Sequence, residues 1–278
     1  MARLLSSLTR RYKAIGCGFT HPAQPSTTIV PLSNHYPFAS PKFSSLLMDS
    51  NSPDFVGSSS CSSTKIQLYS YWQSSCSWRV RFALNLKELP YEYKAVDLSK
   101  GEQFSSEFER LNPVHFVPVL VEGDLVVSDS FAILLYLDEK YPQNALLPVD
   151  VKKRALNLQV AGIIGSSIQP LHMQSVLNYL DKKAYPEDTL SWAQHYVIKG
   201  FTALEKLLKG SAGNYATGDE VFMADVFLAP QISVATTRFN IDMSSFPTLN
   251  RIYEAHKVLP AFQASVPERQ PDAKVVVR

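Results

Sequence analysis

Hydrophobic positions in this chain follow a mixed period up to about residue 142 and an almost purely helical one after about 150. Ile66-Gln67-Leu68-Tyr69-Ser70-Tyr71 reads as a short apolar strand. Ser77 to Glu88 runs without Gly or Pro and places Val80, Ala83 and Leu84 at helical spacing. Tyr91 to Asp97, after Leu89-Pro90, alternates aromatics and Val with polar residues and predicts a second strand. Phe104 to Leu111 is a short helix stopped by Asn112-Pro113. Val117 to Val121 and Leu125 to Val127 flank the hairpin signal Glu122-Gly123-Asp124. Ser128-Asp129-Ser130 then opens a helix that runs to Lys140 and stops at Tyr141-Pro142. The order βαβ, helix, ββα predicts a small α/β sheet of thioredoxin type over 65–145.

From 150 to 278 the pattern predicts an all-helical domain. Val151 to Tyr179 is a long helical region that Gly162, Gly165 and Pro170 bend or divide. Ser191 to Lys209, closed by Gly210, carries Ala193, Tyr196, Val197, Phe201, Leu204, Leu207 and Leu208 on the 3.6 period. Met223 to Ala229 is largely apolar and predicts a buried helix; Tyr253 to His256 and Ala261 to Ser265 supply short final ones.

Composition narrows the function classes. A formal charge of +2 over 278 residues gives no push toward nucleic acid. No apolar run approaches the roughly 18 residues of a membrane span. Three cysteines, Cys17, Cys61 and Cys76, make no disulfide framework and favour a reducing compartment. The six histidines show no metal-ligand spacing, so no metal is expected. Residues 1–48 lack Asp and Glu but carry Arg3, Arg10, Arg11, Lys13 and Lys42 among many Ser and Thr. That composition fits an organelle transit peptide, and equally an untranslocated disordered leader or an upstream start codon with Met48 as the internal start. Residues 49–64 are Ser-rich and read as linker. The expected location is cytoplasmic, or mitochondrial or another organelle if residues 1–48 act as a targeting signal.

Three local features carry chemistry. Ser74-Ser75-Cys76 sits where a strand gives way to a helix N-terminus. Unpaired amides and the helix dipole there stabilise a sulfur anion. Read alone, it is a helix cap with a buried small Cys. Cys76 has Arg79 three residues later in place of a second Cys, which argues against a dithiol mechanism. Val117-Pro118 opens a strand at a residue without an N–H, marking an edge, a first position or a cis bond. A cis bond would leave the Val117 backbone to pair with an extended peptide. Asp129-Ser130 at a helix start is an ordinary cap or a carboxylate pocket.

Together, Tyr69-Ser70-Tyr71-Trp72-Gln73-Ser74-Ser75-Cys76-Ser77-Trp78-Arg79-Val80-Arg81, Asn112-Pro113 with Val117-Pro118, and Asp129-Ser130-Phe131-Ala132-Ile133 resemble a glutathione transferase of the zeta class, whose members include maleylacetoacetate isomerases. The Ser-Ser-Cys element is specific to that class; the Val-Pro and Asp-Ser elements belong to glutathione transferases in general. The resemblance covers about 65–273 and leaves the leader unexplained. It implies glutathione as cofactor, a helical second domain, a homodimer and a small-molecule substrate. Ser74 would donate its hydroxyl to the glutathione sulfur, with Ser75 and Cys76 in support and Arg79 favouring thiolate. Asp129 would take the γ-glutamyl ammonium, Ser130 and the helix amides its carboxylate. Val117, ahead of Pro118, would pair the cysteinyl backbone, Gln103 would meet the glycine carboxylate, and Gln169 would reach across from the helical side. Arg238, helped by Arg79, would hold substrate carboxylates.

The implied reaction is cis–trans isomerisation of maleylacetoacetate to fumarylacetoacetate in tyrosine and phenylalanine catabolism, with transferase activity and dehalogenation of α-haloacids beside it. The rivals are a general conjugating or peroxidase-type transferase, a thiol transferase working through Cys76, and a non-catalytic module. Three departures from the class stand out. Phe222 holds the Ser/Thr position of a capping box completed by Asp225, which predicts a weakened cap on an intact fold. His172-Met173 replaces Gln-Asn, and His115 replaces a small residue ahead of Val117-Pro118.

Overall fold

The computed structural model describes residues 65–183 and 186–274; the leader and linker expected over 1–64 lie outside the described residues. β1 (Ile66–Ser70), β2 (Tyr91–Ala95), β3 (Val119–Glu122) and β4 (Leu125–Ser128) form one mixed sheet in the order β2-β1-β3-β4. β1 runs parallel to β2, with Ile66 opposite Tyr91, and antiparallel to β3, with Leu68 opposite Leu120. β3 starts at Val119, two residues after the expected Val117, because Pro118 has no N–H for the ladder. The Val117-Pro118 bond is cis.

Helix α1 (Ser75–Leu86) crosses between β1 and β2. It opens two residues before the expected Ser77, since the Ser74 Oγ accepts the Ser77 N–H at 3.2 Å and caps the first turn. The helix is buried nearly all round. Val80 and Leu84 join Leu68, Leu120, Ile133 and Leu137 in the core under the sheet. Trp78, Phe82 and Ala83 face the helical core instead, so the single face expected for Val80, Ala83 and Leu84 is two faces. The stretch expected as one helix from Phe104 divides into a 3-10 turn, Glu102–Phe104, and α2 (Ser106–Leu111), because Ser105 caps α2 through the Phe108 N–H at 3.2 Å. α3 (Ser130–Lys140) follows β4, capped by Asp129.

No strand occurs among the described residues beyond β4. The long region from Val151 divides into α4 (Val151–Gly162), a π-helical segment Ile163–Ile168, a 3-10 turn Gln169–His172 and α5 (Gln174–Lys183). α6 (Pro186–Leu208) takes in the expected Ser191 stretch and opens five residues ahead of it. Its Gly200 allows close packing, since a Cβ there would collide with the Ile168 side chain. α7 (Met223–Phe239) is the buried helix; α8 (Pro247–Lys257) and α9 (Pro260–Ser265) follow. α1 packs against α9, α7 and α3, so the helix carrying the Ser-Ser-Cys turn is also the one gripped by the helical core.

The cap of α7 shows how the half-missing box is tolerated. Phe222 is extended and offers no side-chain acceptor. The Asp225 Oδ2 accepts the Phe222 N–H at 3.1 Å, while its Oδ1 accepts the Ala216 N–H at 2.8 Å. The remaining first-turn amides find tertiary partners: the Met223 N–H donates to the Leu146 carbonyl at 2.6 Å and the Ala224 N–H to the Asn157 Oδ1 at 3.0 Å. The weaker local cap is thus supplemented by α4 and the 146–148 loop.

Candidate functional site

The Ser74 hydroxyl occupies a double position. One lone pair holds the Ser77 N–H, and a hydroxyl still has its own proton to give. Ser74 is half-buried, Ser75 is buried and Cys76 is half-buried with a free thiol. Ser74, rather than Ser75, can therefore present a donor at the surface while capping the helix. Ser75 and Cys76 occupy the first positions of α1, where their amides lie beyond the reach of intrahelical bonding. The resulting corner combines one hydroxyl donor, first-turn amides and the positive helix end.

Arg79 lies beneath this corner, 2% exposed. Its Nη1 donates to the Ser130 Oγ at 3.3 Å and its guanidinium carbon stands 4.4 Å over the Phe227 ring. Burial pushes its pKa down, while Cys76 and Asp129 pull it back up. Its Nε and Nη2 are enclosed without a partner. A buried guanidinium with open donors calls for an anion or an ordered acceptor. Arg79 thus joins α1, α3 and α7 from within, and does not reach out as an exposed helper for substrate.

Asp129 has φ 86° and ψ 121°, a backbone conformation that side-chain-bearing residues rarely adopt. That geometry lets its Oδ1 accept the N–H groups of both Phe131 (2.9 Å) and Ala132 (3.0 Å). These are amides that the sequence reading offers to an incoming carboxylate. With them occupied, the Ser130 N–H and hydroxyl remain as the donors of that helix start. Asp129 is exposed and Ser130 is buried beside Arg79.

Around the cis bond, Val117 and Pro118 are buried. Gln103 is half-buried, with its Oε1 enclosed and unpartnered. The Gln103 backbone carbonyl accepts from the His115 ring at 2.9 Å, and that ring packs on Phe104 with centroids 5.2 Å apart. His115, at φ 61°, therefore fastens the Gln103 loop to the segment ahead of the cis bond.

On the helical side, Gln169 is half-buried at the first position of its 3-10 turn. His172 closes that turn, 2% exposed, with its ring Nε2 3.1 Å from the Gln231 Oε1 and its ring 5.1 Å from that of Phe239. Burial drives its pKa down to about 4, helped by the charges of Arg238 and Arg79 and opposed by the bond to Gln231. Arg238, in the last turn of α7, is exposed; it donates to the Gln174 Oε1 and lies 5.3 Å over the Phe239 ring. α7 is the common rail. Phe227 carries Arg79, Gln231 carries His172, and Arg238 closes the row. Neither Phe227 nor Gln231 was legible as a site residue, because each earns its place through a partner far off in the chain.

Hollows of about 510 and 630 Å³ occur elsewhere, between α6 and the 241–246 loop and between α1 and α9. Neither is lined by a predicted site residue. Among the described residues, no group of three or more His, Cys, Asp or Glu could hold a metal, and no helix is long and apolar enough to cross a membrane.

A sequence profile for the glutathione S-transferase N-terminal domain matches residues 73–140. A "Glutathione S-transferase zeta class" from Euphorbia esula is 57% identical over 209 residues, covering 75% of this chain and 93% of that relative. A "Maleylacetoacetate isomerase" from Rattus norvegicus is 48% identical over 213 residues, 76% of this chain and 96% of that relative. The crystal structure of a maleylacetoacetate isomerase from Anaeromyxobacter dehalogenans 2CP-1 with glutathione bound in its active site superposes with a TM-score of 0.71 at 43% identity, covering 76% of this chain and 99% of that one.

Proposed function

Because the chain belongs to the zeta class of glutathione transferases, we propose that it isomerises maleylacetoacetate to fumarylacetoacetate with glutathione as cofactor. The observation that carries this reading is the Ser74 corner: a capping hydroxyl that keeps its proton, at the end of a helix whose buried Arg79 has open donors and feels the Cys76 charge.

The residues fit glutathione. Enclosed, unpartnered atoms of Arg79 and Gln103 mark places for polar groups that the protein does not itself supply. In this reading Asp129 would take the ammonium and Ser130 the γ-glutamyl carboxylate, Val117, ahead of Pro118, would pair the cysteinyl backbone, Gln103 would meet the glycine carboxylate, and Gln169 would reach across from the helical side. When bound, glutathione supplies a thiolate nucleophile for reversible addition to an activated cis double bond. A free thiol has a pKa of about 8.5. The Ser74 hydroxyl, the first-turn amides of Ser75 and Cys76, and the Arg79 charge all favour its ionised form. Arg238 orients a substrate carboxylate and offsets negative charge that develops beside it. His172, held neutral, adds no further positive charge to that side.

On the helical side, the exposed Arg238 and the Gln174 it binds suit a small dicarboxylate better than the apolar acceptor of a general conjugating transferase. The same thiolate site would serve α-haloacid dehalogenation. The homodimer is part of the proposal, supported by Phe104, Val114 and Phe116, which stand 66%, 60% and 45% exposed around the cis-proline loop. We place the reaction in the cytoplasm, or in an organelle if residues 1–48 direct the chain there; mass spectrometry of the native N-terminus decides between them.

The test is isomerisation of maleylacetone, a stable analogue, by purified protein. Turnover that requires glutathione and exceeds conjugation of an apolar electrophile is expected. Folded protein that binds glutathione and does not turn over maleylacetone would overturn the isomerase reading.

A further inference from the structure

The turn that presents Ser74 is gripped by the far end of the chain. Tyr71-Trp72-Gln73-Ser74 closes on a hydrogen bond from the Ser74 N–H to the Tyr71 carbonyl, 3.0 Å. That same carbonyl accepts from the Arg81 Nη1 at 3.3 Å, and the Trp72 carbonyl accepts from Nη2 at 3.1 Å. Arg81 is itself wholly buried and anchored through Nε to the Ser265 carbonyl at 3.1 Å. On the other edge of the Tyr71–Trp72 peptide, the Trp72 N–H donates to the Asp272 Oδ2 at 3.0 Å. The second Asp272 oxygen accepts the Tyr93 hydroxyl at 2.7 Å. Two residues on, Lys274 lies 3.2 Å from Asp97 and donates to the Ser99 Oγ at 3.0 Å. The segment from Ser265 to Lys274 thus straps the ends of β1 and β2.

We infer that Asp272 is a positioning residue of the thiol site: by holding the Trp72 N–H it fixes the peptide on which the Ser74 turn pivots. The inference rests on the role of Ser74 proposed above. A peptide plane held at its carbonyl by Arg81 and at its N–H by Asp272 cannot rotate. Without Asp272, the Trp72 N–H loses its partner at a residue only 6% exposed. An unpaired buried amide is costly, and the available relief is rotation of that plane toward water. The Ser74 N–H is bonded to the same plane, so Ser74 moves with it. Displacements of about 1 Å in positioning groups lower rates by up to about a hundredfold. For a hydroxyl that keeps its cap bond to Ser77, the expected loss is about tenfold.

The strap is tested with Asp272→Ala in a Tyr93→Phe background, which removes the hydroxyl that would otherwise be left without an acceptor. Two readings are taken. In protein without glutathione, amide hydrogen exchange at Trp72 and Ser74 should accelerate at least about tenfold while β1 keeps its protection. With glutathione, the ultraviolet absorbance of the bound thiolate is followed against pH. Its rise should move to higher pH by about 1 unit, with turnover at neutral pH falling about tenfold and recovering under alkaline conditions. Tyr93→Phe alone should leave both readings at wild type. A folded Asp272 variant with unchanged exchange at Trp72 or an unmoved thiolate titration overturns the inference. Ser74→Ala separates the two failures. If the titration moves there and not in the Asp272 variant, the strap alone is wrong; if it moves in neither, the role of Ser74 falls as well.

Discussion

Asp225 is the residue whose removal should reveal most about how the helical core is held. Its carboxylate is wholly buried and accepts two backbone amides, from Ala216 and Phe222, with the His256 Nε2 3.2 Å away. Asp225→Ala leaves both amides and the imidazole facing a void. Each orphaned amide costs about 1–3 kcal/mol. The void left by the carboxylate adds to these costs, though effects within one network do not add in full. Together these bracket a loss of about 3–6 kcal/mol, a large part of a typical total of about 5–15 kcal/mol. For a chain of this size that lowers Tm by roughly 10–20 °C. Urea unfolding followed by circular dichroism measures it. Asp225→Asn keeps the volume and one acceptor, so it should fall between Asp225→Ala and wild type. A loss below about 1 kcal/mol in Asp225→Ala would refute the reasoning, since it would mean that water or rearranged backbone replaces the carboxylate freely.

Two further stability effects follow from the same helical core. Phe222 already has extended N-cap geometry but no acceptor, so Phe222→Ser should complete the capping box and raise stability by about 1 kcal/mol, read from the urea midpoint. An unchanged or lowered midpoint would show that Phe222 packing outweighs the cap. His172 stays neutral down to about 4 whereas its ordinary value is 6.5, so the unfolded chain takes up the proton first as pH falls. Stability fully present above pH 6.5 should therefore be lost progressively between about 6.5 and 4, by on the order of 3 kcal/mol, and His172→Gln should flatten that slope; equal slopes would contradict it.

The sequence carries the sheet, the order of helices and the chemistry-bearing motifs because each is written locally. The period of Ile66 to Tyr71, the break at Asn112-Pro113 and the Asp129 cap need no distant partner. What it conceals is tertiary. Helix α8 is capped by Glu205, whose carboxylate accepts the Thr248 and Leu249 N–H groups at 3.0 Å from 43 and 44 residues upstream. Lys87, 1% exposed, donates to the Tyr141 carbonyl at 2.7 Å and to the Gln143 carbonyl at 3.1 Å, stapling the chain after α3. Arg79 and Arg81 share one helix and one residue type. Only the fold shows that Arg81 is fully bonded structural support while Arg79 retains open donors. The two-residue difference at the start of α1 has the same root as the chemistry: the sequence leaves the Ser74-Ser75-Cys76 turn as a cap or a thiolate helper, and in the fold Ser74 caps α1 while keeping a proton to donate.

The central claim is that the Ser74 hydroxyl, and not the Cys76 thiol, activates bound glutathione. The direct measurement is glutathione-dependent isomerisation of maleylacetone by wild type, Ser74→Ala and Cys76→Ala, each shown to be folded and saturated with glutathione. Loss of one charge-assisted hydrogen bond of about 1.5–3 kcal/mol predicts a fall of roughly 10- to 150-fold in Ser74→Ala. Cys76→Ala should keep most of its turnover. Turnover retained in Ser74→Ala and abolished in Cys76→Ala would contradict the account and move the chemistry to the thiol of the protein itself.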